Sequence, residues 1–325
     1  MIQLMLFEEI RKRLKASQRL SDIVEELLDV KTTGAYLRIN GNQELTLSEF
    51  MKLCSEYGIS VDELMGNKSN RLTFRYHPAD LSNLDNYRNY IREITEMISA
   101  LSGHDNGEIW YSAEDIPLFH FLRFHELAFF KVYIWYNAVS GSKMTFERFV
   151  AEIEGKESLY ANFNNLGNSY LSIPSSEIWT ENTIDHVLRS LQYADGMGAF
   201  EKKESLELLF SQLLQIIENA ENWAETGKKD NRGDFKLYYS AVNPENNFML
   251  LKNSVGTAVA IRLYAVKNIF TSNPAFCEET GKWIESIMSK SLLLSGSSAK
   301  DRIGFFRKQK VKINGFRELM LKESS

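Results

Sequence analysis

The amino-acid sequence predicts a helix-rich α+β protein, with a small helical module in front of a larger helical domain that contains a sheet of about four strands. Three observations lead there. Only 5 of 325 residues are proline, too few for a loop-rich sandwich and compatible with long uninterrupted helices. Apolar residues recur at helical spacing along most of the chain, as in Phe7, Ile10 and Leu14 or Leu206, Leu209, Phe210, Leu213 and Ile217. Short runs rich in aromatic and β-branched residues, such as Glu108-Ile109-Trp110-Tyr111-Ser112, read instead as strands. A chain that is 44% hydrophobic and 12% aromatic can bury a large core, which excludes intrinsic disorder.

Charge and cysteine content narrow the class. The formal charge of −5 gives no global electrostatic argument for nucleic acid, so any such argument must be local. Cys54 and Cys277 are the only cysteines, too few for a disulfide scaffold or a multi-cysteine metal site. The apolar start is followed, not preceded, by Arg11, Lys12, Arg13 and Lys15, the reverse of a secretory signal. No uncharged run reaches the ~18 residues of a spanning helix. A cytoplasmic protein without a membrane partner is expected.

Residues 1–66 read as five short helices. Leu20, Ile23, Val24 and Leu27 form the second, opened by Ser21 or Asp22, and a tight turn follows at Asp29-Val30. The third runs from Thr32 to Asn40 with Ala35 and Ile39 inward, and Gly41 is placed to stop it in a left-handed conformation. Thr46-x-x-Glu49 and Ser60-x-x-Glu63 are capping boxes that open the fourth and fifth.

This stretch, from Ser21-Asp22-Ile23-Val24 through Thr32-Thr33-Gly34-Ala35-Tyr36-Leu37-Arg38 to Tyr57-Gly58-Ile59-Ser60, resembles the helix-turn-helix of Cro and lambda-repressor-like bacterial regulators. The resemblance covers about a fifth of the chain. It implies double-stranded DNA as partner, with the third helix entering the major groove. By position, Thr32, Thr33, Leu37 and Arg38 would approach base edges, while Lys31, Tyr36, Ser21, Asn42 and Gln43 would meet phosphates. Three features depart from a usual DNA binder. The module carries 8 basic against 11 acidic residues, Gly34 lies inside the third helix, and Leu37 stands where a polar reader is usual. An adaptor whose helical module contacts only proteins is the alternative.

Residues 67–80 read as a connector and 81–325 as an effector and dimerisation domain. Helices are expected over about 84–101, 181–194, 202–225, 274–291 and 298–320, and strands over 108–112, 235–239, 248–251 and 257–263. The second and third of these strands are expected to pair as a hairpin across Asn243-Pro244-Glu245-Asn246-Asn247, and Asn162, Asn164, Asn165 and Asn168 to mark a polar loop. Ten aromatic residues between Trp110 and Tyr136 predict a segment buried on several sides, either core or the wall of an apolar pocket.

Asp115-Ile116-Pro117-Leu118-Phe119-His120-Phe121, Phe129-Phe130-Lys131 and the run from Lys290 through Lys300-Asp301-Arg302 to Phe305-Phe306 resemble the effector part of large bacterial helix-turn-helix regulators. That resemblance implies the same class of protein and leaves the ligand undefined; an unidentified small-molecule effector for the larger domain is the expectation. Ser295, Gly296, Ser297 and Ser298, directly before a helix with Lys300 and Arg302, form a candidate anion or effector site built on a helix start, with an ordinary serine cap as the alternative. From Lys300 onward 8 basic residues face 3 acidic ones, a basic tail for DNA, for the acidic body of the same chain, or for solvent. Motifs of phosphate-binding loops, serine hydrolases and zinc proteases are missing from the sequence. His120 and His125, five apart, project to different sides of a helix and suit no shared metal. Neither an enzyme activity nor a metal or cofactor is expected. The reading is a homodimeric DNA-binding regulator controlled by its larger domain.

Overall fold

A computed structural model describes residues 2–14, 18–65, 72–76, 107–154, 157–244, 246–264 and 267–323, with 86, 89, 91, 92, 94–96 and 98. The chain divides into two compact units, Met1–Arg75 and Tyr76–Ser325. The connector expected at 67–80 lies mostly outside the described residues.

In the first unit, α1 (Ile2–Arg13), α2 (Leu20–Leu28), α3 (Thr32–Ile39), α4 (Leu47–Glu56) and α5 (Val61–Met65) enclose a core of Leu6, Phe7, Ile10, Val24, Ala35, Ile39, Leu53 and Cys54. Local chemistry sets the boundaries. Asp29 ends α2 at φ 53° and Gly41 turns the chain after α3 at φ 76°, conformations that a short polar side chain and glycine tolerate best. Thr46 and Glu49 exchange bonds as a complete capping box. The N-cap of α2 is Arg19, whose side chain makes no capping bond, and Ser21 falls inside the first turn. The buried Gln3 amide donates to the carbonyls of Arg38 and Gln43 at 2.7 and 2.9 Å and accepts from Leu45 N–H at 2.9 Å. That clamp fixes the segment between α3 and α4 to α1.

Among the described residues, the second unit is built on a mixed sheet of eight strands, not the expected four. Its strands are β1 (Arg75–Tyr76), β2 (Glu108–Ser112), β3 (Ser175–Trp179), β4 (Phe235–Tyr239), β5 (Phe248–Lys252), β6 (Thr257–Tyr264), β7 (Lys267–Thr271) and β8 (Leu292–Leu293), in the order β1-β7-β6-β5-β2-β3-β4-β8. β2, β3 and β4 are parallel, and the pairs β2–β5, β4–β8, β5–β6 and β6–β7 are antiparallel. The expected hairpin of 235–239 with 248–251 does not form, because β3 and β2 lie between those strands. The antiparallel hairpins are β5–β6 and β6–β7.

Helices fill the connections: α6 (Leu118–Phe121), α7 (His125–Ser140), α8 (Phe146–Glu154) and α9 (Glu157–Ser172) before β3, α10 (Asp185–Gly196) and α11 (Lys203–Thr226) before β4, then α12 (Pro274–Lys290) and α13 (Ala299–Glu323). The polar loop expected around Asn162–Asn168 is part of α9, because Phe163, Leu166 and Tyr170 bury one helical face. Of the helix expected at 84–101, the described residues are helical and Ile91, Ile94 and Ile98 are buried; the remainder lies outside the described residues. Strand alternation sends neighbouring side chains to opposite sides of the sheet. Ile178, Leu250 and Val259 join Cys277 and Ile284 of α12 on one face, while Trp179, Met249, Leu251 and Ala260 join the main core on the other. The aromatic segment is core: Phe119, Phe121, Phe129, Phe130 and Tyr133 are all buried. The basic tail lies on α10 and α11, with Lys310 2.6 Å from Glu221, Lys312 paired to Asp185 and Arg317 3.8 Å from Glu207. Among the described residues, no helix is long and apolar enough to cross a membrane.

Candidate functional site

Candidate surfaces lie on α3 of the first unit and at two places in the second. On α3, burial of Ala35 and Ile39 turns Lys31, Thr32, Thr33, Tyr36 and Leu37 outward, and all five are exposed. Positions 32, 33, 36 and 37 share one helical face. Thr32 Oγ1 donates to Glu25 at 3.0 Å, which ties the start of α3 to α2. Asn42 and Gln43 are exposed beyond the helix, and Ser21 is half-buried with its hydroxyl on Asp22. Arg38 is placed differently from the sequence expectation. Its guanidinium lies 2.8 and 3.1 Å from Glu49 Oε1 and also donates to Gly34 O and Gln43 Oε1, leaving the side chain 11% exposed. Burial alone would raise the Glu49 carboxyl; Arg38 and Thr46 overcome that and hold it below its usual range.

The expected anion site at the start of α13 is closed by its own bonds. Ser295 Oγ accepts from Leu237 N–H and donates to Phe235 O, Gly296 N–H donates to Ala224 O, and Arg302 Nη1 donates to the carbonyls of Leu294 and Gly296. Arg302 is buried, with Glu225 3.6 Å from Nη2; a guanidinium removed from water requires such partners. Ser297 and Ser298 use their carbonyls as acceptors for Ala299 and Arg302 N–H. Of the two cations only Lys300 is exposed.

A cavity that no sequence spacing reveals lies at the carboxyl ends of β2 and β3. It has a volume of about 420 Å³ and is lined by residues that include Glu114, Asp115, His186, Arg189, Tyr193 and Arg262. At β2 the strand order reverses: β3 and β4 succeed one another on one side, and β5 follows on the other. β5 is antiparallel to β2, so the feature shared with open parallel sheets is the place of the cavity, outside the carboxyl ends of the parallel strands β2 and β3. Asp115, 2% exposed, is the floor. Lys131 of α7 approaches its two oxygens at 3.3 and 3.2 Å, Arg262 of β6 donates to Oδ2 at 2.9 Å, and His186 Nδ1 of α10 stands 3.9 Å away. Asn247 holds the segment from behind, its Oδ1 accepting Glu114 N–H at 3.0 Å. Burial alone would raise the Asp115 carboxyl, but Lys131, Arg262 and His186 together hold it below its usual range. The one signal in the sequence is a pair of acids two and three residues past a strand end, in Ser112-Ala113-Glu114-Asp115.

A second polar cluster is sealed in the core. Glu177 of β3 accepts from Trp179 Nε1 at 2.7 Å, lies 3.0 Å from His120 Nε2 and is bonded by Tyr170 Oη. Lys229 Nζ donates to Ile173 O and Ser175 Oγ at 2.5 and 2.8 Å. Every member is buried, so the network satisfies the polar central strand and offers nothing to solvent. His125 serves another neighbour, Asn164, at 3.1 Å. Among the described residues, no group of His, Cys, Asp and Glu is arranged to hold a metal ion. Comparison with protein-family models, with curated proteins and with solved structures gives no match.

Proposed function

We propose that the chain is a DNA-binding transcription regulator, in which α2 and α3 act as a helix-turn-helix on duplex DNA and the larger unit dimerises and receives a small effector. The observation that carries this reading is the outward face of α3: Lys31, Thr32, Thr33, Tyr36 and Leu37 are exposed together while the opposite face is buried. A helix N-terminus with a lysine and two hydroxyls suits phosphate and base edges, and Leu37 suits a thymine methyl group. One such helix reads only a half-site, so a cytoplasmic homodimer on a pseudo-palindrome with half-sites ~10 bp apart is the working form. Selection of bound fragments from genomic DNA at moderate salt tests it. Enrichment of a two-fold-related sequence supports the reading, and recovery of fragments no different from the input sinks it.

A specific observation favours a second reading, a protein-interaction adaptor. Arg38 is neutralised by Glu49, and Leu47 and Met51, one turn apart on α4, are 78% and 52% exposed. Under that reading the same selection yields nothing, and Leu47→Ser with Met51→Ser leaves the first unit folded but abolishes capture of a protein partner.

A further inference from the structure

We propose that the cavity at the carboxyl ends of β2 and β3 is a binding site for a small organic anion, its charged head on Arg262, Arg189 and His186 and its body against Tyr193 and Ile134. This fills in the ligand-receiving half of the function proposed above. The cavity, about 420 Å³, falls in the range of ~300–1,000 Å³ usual for small-molecule sites.

The sign of the ligand follows from the charges already committed. Asp115 is answered by both Lys131 and Arg262, so a cationic ligand would find its acid taken. Asp185 is paired to Lys312, and Arg189 is 4.0 Å from it. Glu114, Asp115, Asp185, Arg189 and Arg262 line the cavity; counted with the lysines that back two of the acids, Lys131 on Asp115 and Lys312 on Asp185, three carboxylates face four fixed cations, one positive charge in excess before His186 is protonated. Arg262 gives Nη1 to Asp115 and holds Nη2 3.8 Å from Glu114, beyond hydrogen-bond length. Arg189 and Tyr193 are 77% and 64% exposed at the rim, free to close on a ligand. A carboxylate or phosphate fits donors of this kind.

His186 couples the site to pH. Burial lowers its pKa, and Lys131 and Arg262 lower it further against the opposing pull of Asp115 and Glu114. Asp185 and Arg189 flank it on its own helix. An anion seated beside the ring favours the protonated form, so binding takes up a proton and tightens as pH falls.

Calorimetric titration of the full chain without DNA tests the site, with acetate, benzoate and inorganic phosphate as anions and acetamide and benzamide as neutral counterparts. At least one anion should bind saturably near pH 6, about tenfold more tightly than near pH 8, with buffer-dependent heat reporting proton uptake. Arg189→Ala should weaken it about tenfold without changing thermal stability, since that side chain is at the rim. His186→Gln should bind the anion with no pH dependence. The inference is overturned if none of the three anions saturates, if the amides bind equally well, or if both variants behave as wild type. Because DNA is absent from the cell, failure of anion binding and failure of fragment selection are separate results.

Discussion

Arg38 Nη2 on α3 lies 2.8 Å from Glu49 Oε1 on α4, so this arginine ties two helices together. Arg38→Ala and Lys31→Ala should therefore differ in kind. Loss of the Arg38 pair, 11% and 18% exposed, should destabilise the first unit by about 1 kcal/mol. Lys31 is exposed, and its removal should leave stability unchanged while lowering DNA affinity and the salt slope by ~1. Thermal unfolding and binding at two salt concentrations check both. A Lys31→Ala protein with an unchanged salt slope would remove that lysine from the contact surface.

Gly233 has no room for a side chain. A Cβ there would lie 2.8 Å from the backbone carbon and oxygen of Ile173 and 2.9 Å from the Ser172 carbonyl carbon, and its N–H donates to Leu171 O at 2.9 Å. The conflict is with backbone, which cannot swing aside. Gly233→Ala should cost at least ~2 kcal/mol by forcing the entry to β4 away from the end of α9. Urea denaturation measures it. A midpoint equal to wild type would show that the two segments separate freely.

Asn247 carries the anion cavity from behind. Its Oδ1 accepts Glu114 N–H at 3.0 Å, with Asp115 N–H at 3.5 Å, in a residue only 3% exposed. Asn247→Ala should cost about 1–3 kcal/mol by leaving a buried donor unanswered. It should also weaken any anion bound beside Asp115, since the loop would no longer be held in register. Asn247→Asp keeps the acceptor, and recovers less than half of the loss if the added charge beside Asp115 is as costly as expected.

What the sequence made legible was local. The Thr46–Glu49 box, the left-handed Gly41 and the buried pair Ala35 and Ile39 follow from residues within a turn or two of one another, and the structure contains each. β3 was hidden for the opposite reason. Ser175-Ser176-Glu177-Ile178-Trp179 is polar by composition yet buried throughout, because its partners come from His120, Tyr170 and Lys229, up to 57 residues away. Without β3 the neighbours of β4 and β5 could not be placed, and adjacency in sequence suggested a hairpin. The cavity was hidden with it: Asp115, His186 and Arg262 span 147 residues, and no spacing rule joins them. Arg38 and Glu49 are only 11 apart, but their pairing depends on the angle between α3 and α4.

Lys229 gives the second unit a pH dependence whose sign is fixed by burial. The side chain is fully buried, with its ammonium 3.7 Å from the Tyr170 ring centroid and bonded to Ile173 O and Ser175 Oγ. Burial pushes it down to about 7, against the pull of Glu177. The unfolded chain has an ordinary lysine, so between pH 7 and 10.5 it binds more protons than the folded one. Stability on this account is lowest below pH 7, where both forms are charged, and rises with pH until the unfolded lysine titrates. Lys229→Met removes the penalty and the slope together, at the cost of the donor to Ile173 O and Ser175 Oγ. Relative to wild type, the variant should therefore be more stable at pH 6.5 than at pH 9 by on the order of 2 kcal/mol. Comparing the difference between the two proteins cancels the titration of every other group. Denaturant unfolding at both pH values supplies that difference, and an equal gap at pH 6.5 and 9 would mean that the folded lysine keeps its proton throughout.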